Sequence, residues 1–292
     1  MDPSHIYPVA PGLVLSAAFF VGMPFYAMRR RQPGYAPHPD IVRRRPSFLA
    51  THFMMGYLSW LLDPVERALS SQRVSPNTIS FIALLCCAVA GGLAGAGFLA
   101  TAAWIYVLGG VLDVLDGRVA RRTQRTSPSG ALLDSVLDRW GEFFMLGGLA
   151  FQMRSGYGVA AILVCLVGSQ MVSYTRARAE ALGVRGDSGA MQRAERMVGV
   201  SLALLIGSVG TATGAFQAQV VIAMILFAIG LASTVTSVGR LVEGMRSLDA
   251  EAQSKGLVPP PAPEPRKTPA APVRGLAAPP AAQRISSLQP RE

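Results

Sequence analysis

Seven stretches of this chain are long and apolar enough to cross a hydrocarbon core, which takes about 20 residues of helix. They run roughly over 8–28, 78–99, 101–121, 130–153, 157–178, 197–214 and 217–239. A backbone inside lipid must satisfy its own hydrogen bonds, so single spans of this length predict an all-α integral membrane protein. Composition agrees, with only 15% charged residues where a soluble domain carries about 25%. The net charge of +10 could serve nucleic acid or an anionic membrane surface. The apolar runs select membrane lipids and argue against a nucleic-acid partner. Cys86, Cys87 and Cys165 all lie in apolar stretches. Their odd number and spacing fit neither a disulfide framework nor a zinc site, and they read as small packing residues.

Charge asymmetry sets the topology. The connections near 99–102, 154–156 and 214–217 hold one charge, Arg154, whereas the opposite ends carry Arg29 to Arg31, Arg43 to Arg45, Arg118 to Arg125, Arg176 to Arg196, and Arg240. By the positive-inside rule the basic ends are cytoplasmic, which predicts a multi-pass protein of the cell inner (plasma) membrane with an external N-terminus. The first span has its basic cluster after the apolar run, as an uncleaved anchor does and a signal peptide does not. Between it and the second span, Ser47–Arg73 places Phe48, Leu49, Phe53, Met54, Tyr57, Trp60 and Leu61 near helical spacing, followed by Asp63, Glu66 and Arg67. This pattern predicts an amphipathic helix in the cytoplasmic interface. From about Asp249 the chain holds ten of its 21 prolines and no apolar periodicity, the composition of a disordered tail. The expected organisation is an anchor at 1–32, a cytoplasmic linker and interfacial helix at 33–75, a catalytic membrane domain at 76–245 and a Pro/Ala-rich tail at 246–292.

Carboxylates are costly in membrane spans, so their positions carry information. Asp113 and Asp116 close the third span, three residues apart, and Asp134 and Asp138 open the fourth, four apart; each pair shares a helix face. The two antiparallel helices meet through the short loop Arg122–Ser129, so four carboxylates converge at one depth, where they repel one another unless neutralised. Raised pKa values with shared protons, as in a proton relay, are one remedy; bound cations are the other. Oxygen ligands without histidine or cysteine select hard ions, Mg²⁺ or Mn²⁺, and four carboxylates suit a pair of them. Gly117 leaves open space beside Asp116 where a side chain would meet a ligand, and Arg121, one turn on, can reach phosphate oxygens. Pairing with Arg118, Arg121, Arg122 and Arg139 accounts for one or two of these carboxylates but not for four at one level flanked by Gly117 and Gly130.

The run Asp113-Val-Leu-Asp116-Gly117-Arg-Val-Ala120-Arg121, then eight residues, then Gly130-Ala-Leu-Leu-Asp134-Ser-Val-Leu-Asp138 resembles the CDP-alcohol phosphatidyltransferase signature at every defined position. The resemblance covers roughly residues 61–245 and leaves the first span and the tail outside. It implies a six-helix membrane core, a homodimer, and a phosphatidyl group moved from a CDP-diacylglycerol-type lipid to an alcohol. It further implies two divalent ions per site on Asp113, Asp116, Asp134 and Asp138, with Asp138 also the general base. Gly117, Ala120 and Arg121 would hold the CDP moiety together with Asp116. Asn77 and Thr78, after Pro76, look like the family's entry motif near the nucleotide.

Members of this family differ in acceptor. Arg176, Arg193 and Arg196 lie at the same predicted depth as the aspartates and could bind a phosphate on it. The pattern Ser173-Tyr174-Thr175-Arg176-Ala-Arg178-Ala-Glu180, with Glu195-Arg196 fifteen residues later, resembles the prokaryotic phosphatidylinositol phosphate synthase branch, which implies inositol phosphate as the small phosphorylated alcohol. In that branch lysine is common at the position of Arg176, a departure that keeps the charge. Glu142, one turn after Asp138, is expected to pair with an arginine such as Arg178 in a structural role. Glycerol phosphate is the alternative acceptor. From another class, a transporter with a carboxylate relay would need polar groups deep in several spans, and the later spans offer little beyond Gln152, Ser169, Gln170 and Ser208.

Overall fold

The computed structural model describes residues 10–32, 35, 51–184, 189, 191–214 and 217–255. The described residues form the helices α1 (Ala10–Arg30), α2 (His52–Ser71), α3 (Pro76–Gly95), α4 (Leu99–Arg122), α5 (Pro128–Gln152), α6 (Gly156–Ala181), α7 (Arg193–Thr213) and α8 (Ala218–Ser254). Helix starts follow local chemistry. Thr51, Ser127 and Ser155 accept from the backbone N–H of Met54, Gly130 and Gly158, and Pro76 and Pro128 occupy first-turn positions where no N–H is needed. Gly214 closes α7 with φ +64°, a left-handed conformation that favours glycine.

Five helices, α3, α4, α6, α7 and α8, are long and apolar enough to cross a membrane, which makes this a multi-pass membrane protein. The other two expected spans, α1 and α5, have the length, at 21 and 25 residues. Charge sets α5 apart: it carries Asp134, Asp138, Arg139 and Glu142. The expected interfacial segment forms α2, with residues 47–50 outside the described set. The chain divides into two compact units, Met1–Asp249 and Ala250–Glu292. The tail beyond Lys255 also lies outside the described residues.

Small residues let the helices approach closely. A Cβ on Gly91 of α3 would run into the backbone carbonyl of Phe144 on α5, and one on Gly148 of α5 into the backbone of Gly91. The α6–α8 crossing works the same way, with Gly168 against the Gly230 carbonyl and Gly230 against Val164 and Cys165. Lipid supplies little hydrophobic drive between spans, so such backbone contact carries the packing. Around it, Ala90, Ala94, Ala102, Ala103, Tyr106, Met145, Leu149, Leu204 and Leu226 are buried. The three cysteines are free, Cys87 and Cys165 buried among this core.

Candidate active site

The signature aspartates meet where α4 ends and α5 begins. The turn between these helices is fixed by Ser127, whose Oγ caps the Gly130 N–H at 3.0 Å. One carboxylate oxygen from each of Asp113, Asp116 and Asp134 lies within 4.8 Å of the other two. Asp116 is 5% exposed, and the hydroxyl of Ser80 on α3 donates to its Oδ2 at 2.5 Å. Asp138 stands beside this trio. Arg193 Nη1, at the start of α7, bridges it to Asp113 and lies 2.8 Å from Asp138. Four carboxylates facing one guanidinium leave three formal negative charges in a half-buried site. An all-oxygen donor set of that charge fits a hard divalent cation.

The residues expected around a nucleotide gather at the same end. Asn77 and Thr78 are exposed in the first turn of α3, and Asn77 Oδ1 would be 3.7 Å from a Cβ at Gly130, which brings the starts of α3 and α5 together. The group nearest Gly117 is the guanidinium of Arg121, with Nη1 3.3 Å from where a Cβ would lie. Ala120, half-buried, completes this surface of α4.

The three arginines expected at the acceptor occupy three different settings. Arg193 reaches into the aspartate cluster and keeps its Nε buried with no hydrogen-bond partner among the described residues. Arg176 lies on the surface in an ion pair with Glu180 at 2.8 Å, both side chains at least half exposed. Arg196 does not face the mouth of the cluster. It is 3% exposed, with Nε at 3.1 Å and Nη2 at 2.5 Å from Glu142 Oε1, and Nη1 on the Met191 carbonyl. The expected Glu142–Arg178 pairing is corrected with it: Glu142, 5% exposed, pairs with Arg196, whereas Arg178 is exposed at the end of α6. A carboxylate at that depth needs a cation on a helix that starts at the aspartate level, and α7 provides it one turn beyond Arg193.

Ser80, Ser59 and Glu66 were not anticipated as neighbours of this site. Arg118, inside the signature, donates Nε to Glu66 Oε2 at 2.6 Å and contacts the hydroxyl and carbonyl of Ser59 on α2. Arg122 adds Glu66 Oε1 at 3.4 Å and Asp63 Oδ1 at 3.5 Å. Glu66 is 7% exposed; a carboxylate within an otherwise apolar helical pattern was the available signal. For Ser80 it was a hydroxyl one turn into the helix opened by Pro76-Asn77-Thr78.

Fold and site together define a polytopic membrane protein with an acidic, cation-suited cluster across two helix ends. The chain belongs to the CDP-alcohol phosphatidyltransferase family, whose profile matches residues 73–238. A phosphatidylinositol phosphate synthase of Mycobacterium marinum is 39% identical over 145 residues, 47% of this chain and 60% of that protein, so the chain spans less than two thirds of this relative's length. A crystal structure of the Mycobacterium tuberculosis phosphatidylinositol phosphate synthase with CDP-DAG bound is similar at TM-score 0.55 and 30% identity, covering 62% of this chain and 92% of that one. The same enzyme in complex with manganese and citrate matches at TM-score 0.56 and 28% identity, over 62% of this chain and 88% of that one.

Proposed function

We propose that this chain transfers a phosphatidyl group from a CDP-diacylglycerol-type lipid to inositol phosphate, releasing CMP. The observation that carries the reading is the convergence of Asp113, Asp116 and Asp134 within 4.8 Å. These three, with Asp138 at the edge, would hold two Mg²⁺ or Mn²⁺ ions, which would neutralise the donor's pyrophosphate and polarise the phosphorus. Ser80 fixes one oxygen of Asp116 and so limits how the carboxylate can turn. Gly117 and Ala120 keep the α4 surface low for the nucleotide, Arg121 covers phosphate oxygens, and Asn77 and Thr78 border the same space. The acceptor hydroxyl attacks the phosphorus attached to the lipid; a new O–P bond forms as the bond to CMP breaks, and Asp138 takes the hydroxyl proton.

Arg193 and Arg176 are the residues proposed for the acceptor's phosphate. The buried Nε of Arg193 is a donor left over, and the exposed Arg176–Glu180 pair costs little to open. Arg196 is left out because both of its forward-facing nitrogens are engaged by Glu142. The similarity to mycobacterial phosphatidylinositol phosphate synthases supports inositol phosphate over glycerol phosphate. The test is a panel of inositol phosphate, glycerol phosphate, free inositol and serine with CDP-diacylglycerol and Mg²⁺. Inositol phosphate is expected to release CMP fastest; a faster rate with glycerol phosphate would keep the metal chemistry and overturn the acceptor.

The proposal also places this end of the bundle at the cytoplasmic face of the plasma membrane, on the arginine asymmetry of the loops, and makes the protein a homodimer with its catalytic part within 76–245. A single cysteine at Ser127, in a chain lacking Cys86, Cys87 and Cys165, is then protected from impermeant reagent in intact cells. Rapid labelling there would reverse the orientation.

A further inference from the structure

Residues 73–238 match the family profile, so α1 and α2 lie outside it, yet side-chain contacts run from one to the other and on into the signature helix. Tyr26 of α1 is 2% exposed and Tyr57 of α2 0% exposed. Their hydroxyls fill reciprocal gaps: a Cβ on Gly56 would collide with the Tyr26 hydroxyl, and one on Gly22 with that of Tyr57. Phe53 and Trp60 close around Tyr26, with ring centroids at 5.4 and 6.0 Å. On the same helix, Ser59, Asp63 and Glu66 take hold of Arg118 and Arg122.

Arg118 follows Asp116 by two residues, so it leaves α4 about 200° around the helix from that carboxylate. The grip of α2 is therefore on the back of the helix whose front carries Asp113 and Asp116. Its anchor is a largely buried ion pair, with side-chain exposures of 18% and 9%, and loss of one partner strands the other charge. The setting of α4 matters because a ligand oxygen roughly 6 Å from the axis moves about 1 Å for a rotation of about 10°, and a site must hold its geometry within about 0.5 Å.

We propose that α1 and α2 form a strut that fixes the axial rotation of α4, with Glu66 the positioning residue that acts through Arg118 on the metal-binding aspartates. The inference rests on the metal-dependent transfer proposed above and assigns a purpose to the N-terminal helices. Glu66 touches neither substrate nor ion; it determines where Asp113 and Asp116 present their oxygens.

The test uses full-length protein in detergent and two readouts, thermal stabilisation against Mn²⁺ concentration and CMP release. Glu66→Gln is expected to raise the Mn²⁺ concentration for half-maximal stabilisation by roughly two- to thirtyfold, with the acceptor KM unchanged. Combining it with Arg118→Gln is expected to add little to either single change, since both break one contact. Gly22→Leu, which wedges α1 off Tyr57 far from the aspartates, is expected to move the Mn²⁺ midpoint in the same direction by less. Where Glu66→Gln does not fold, Gly22→Leu and Ser59→Ala carry the measurement. Folded variants with the Mn²⁺ midpoint of the parent protein would overturn the strut and leave the reaction standing. A parent protein that binds Mn²⁺ but releases no CMP would overturn the reaction, while a shifted midpoint would still uphold the strut.

Discussion

Two carboxylate–arginine sites lie one turn apart along α5 and α7, and they are balanced in opposite ways. At the outer rung Asp138 meets Arg193, which also serves Asp113, with Asp116 and Asp134 close by. At the inner rung Glu142 meets, among the described residues, the single cation Arg196, and Arg196 spends its remaining nitrogen on the Met191 carbonyl. The inner site is neutral, buried and complete. The outer site is half-open and overcharged with negative groups, and it keeps an unused donor on Arg193. A buried charge with its partner beside it has nothing further to bind; a cluster with more carboxylates than cations remains a place for ions to enter. On the proposed function, the same residue types, one helical turn apart, serve architecture in one case and chemistry in the other.

The widest separation between the rungs is expected from the aspartates themselves. Asp113→Ala, Asp116→Ala or Asp134→Ala each removes an oxygen ligand from a shared site and is expected to lower CMP release by about a hundredfold or more. These variants remain extractable and folded, because each lightens an electrostatic repulsion. One of them turning over near the parent rate at saturating Mg²⁺ would remove that residue from the metal set. It would also leave the outer rung no more chemical than the inner one.

Much of this was legible in the sequence, and the boundary has a physical cause. The spacings 113/116 and 134/138 lie within single helices, so helical periodicity alone puts each pair on one face, and the short connecting turn brings the pairs together. Helix existence followed equally from the apolar runs. The arginines could not be sorted the same way. Arg193 and Arg196 are three residues apart on α7, on nearly the same face, and either could have reached the mouth. What separates them is depth along α5, where Asp138 and Glu142 wait at successive turns, and that pairing between helices distant in sequence leaves no local pattern. The hold of Glu66 on Arg118 spans 52 residues and was hidden for the same reason.

The next comparison sets Arg193→Gln against Arg196→Gln. Breaking the buried Glu142–Arg196 pair strands a carboxylate in the bundle, so Arg196→Gln and Glu142→Gln are each expected to destabilise by about 3–5 kcal/mol. The Mg²⁺ dependence of whatever fraction folds stays near the parent's. Replacing the pair with Leu at 142 and Met at 196 together is expected to recover most of the stability, because apolar side chains of similar volume often substitute for such pairs without loss. Arg193→Gln behaves differently, costing about 1.5–3 kcal/mol in acceptor binding, or roughly one to two decades in KM, beside the stability lost with the cation between Asp113 and Asp138. If Arg196→Gln instead raised the acceptor KM and left stability alone, the inner rung would belong to the site and the division between the two would collapse.

The smallest effect is expected at the opposite extreme of the chain. The second compact unit begins at Ala250, twelve residues past the end of the family match at 238. None of the signature aspartates, Ser80, Arg193 or the Glu66–Arg118 pair lies near it in sequence. Its composition, with ten of the 21 prolines after Asp249, gives it little apolar surface to bury against anything. A chain ended after Ala250 therefore loses the last turn of α8 and the Glu251–Lys255 pair, an exposed contact at 2.5 Å of the kind that contributes little. CMP release, Mg²⁺ dependence and acceptor KM are all expected to match the full-length protein. A loss of CMP release on this truncation would show that the tail completes the site or the proposed dimer. The working part of the molecule would then extend beyond the outer rung and the helices that hold it.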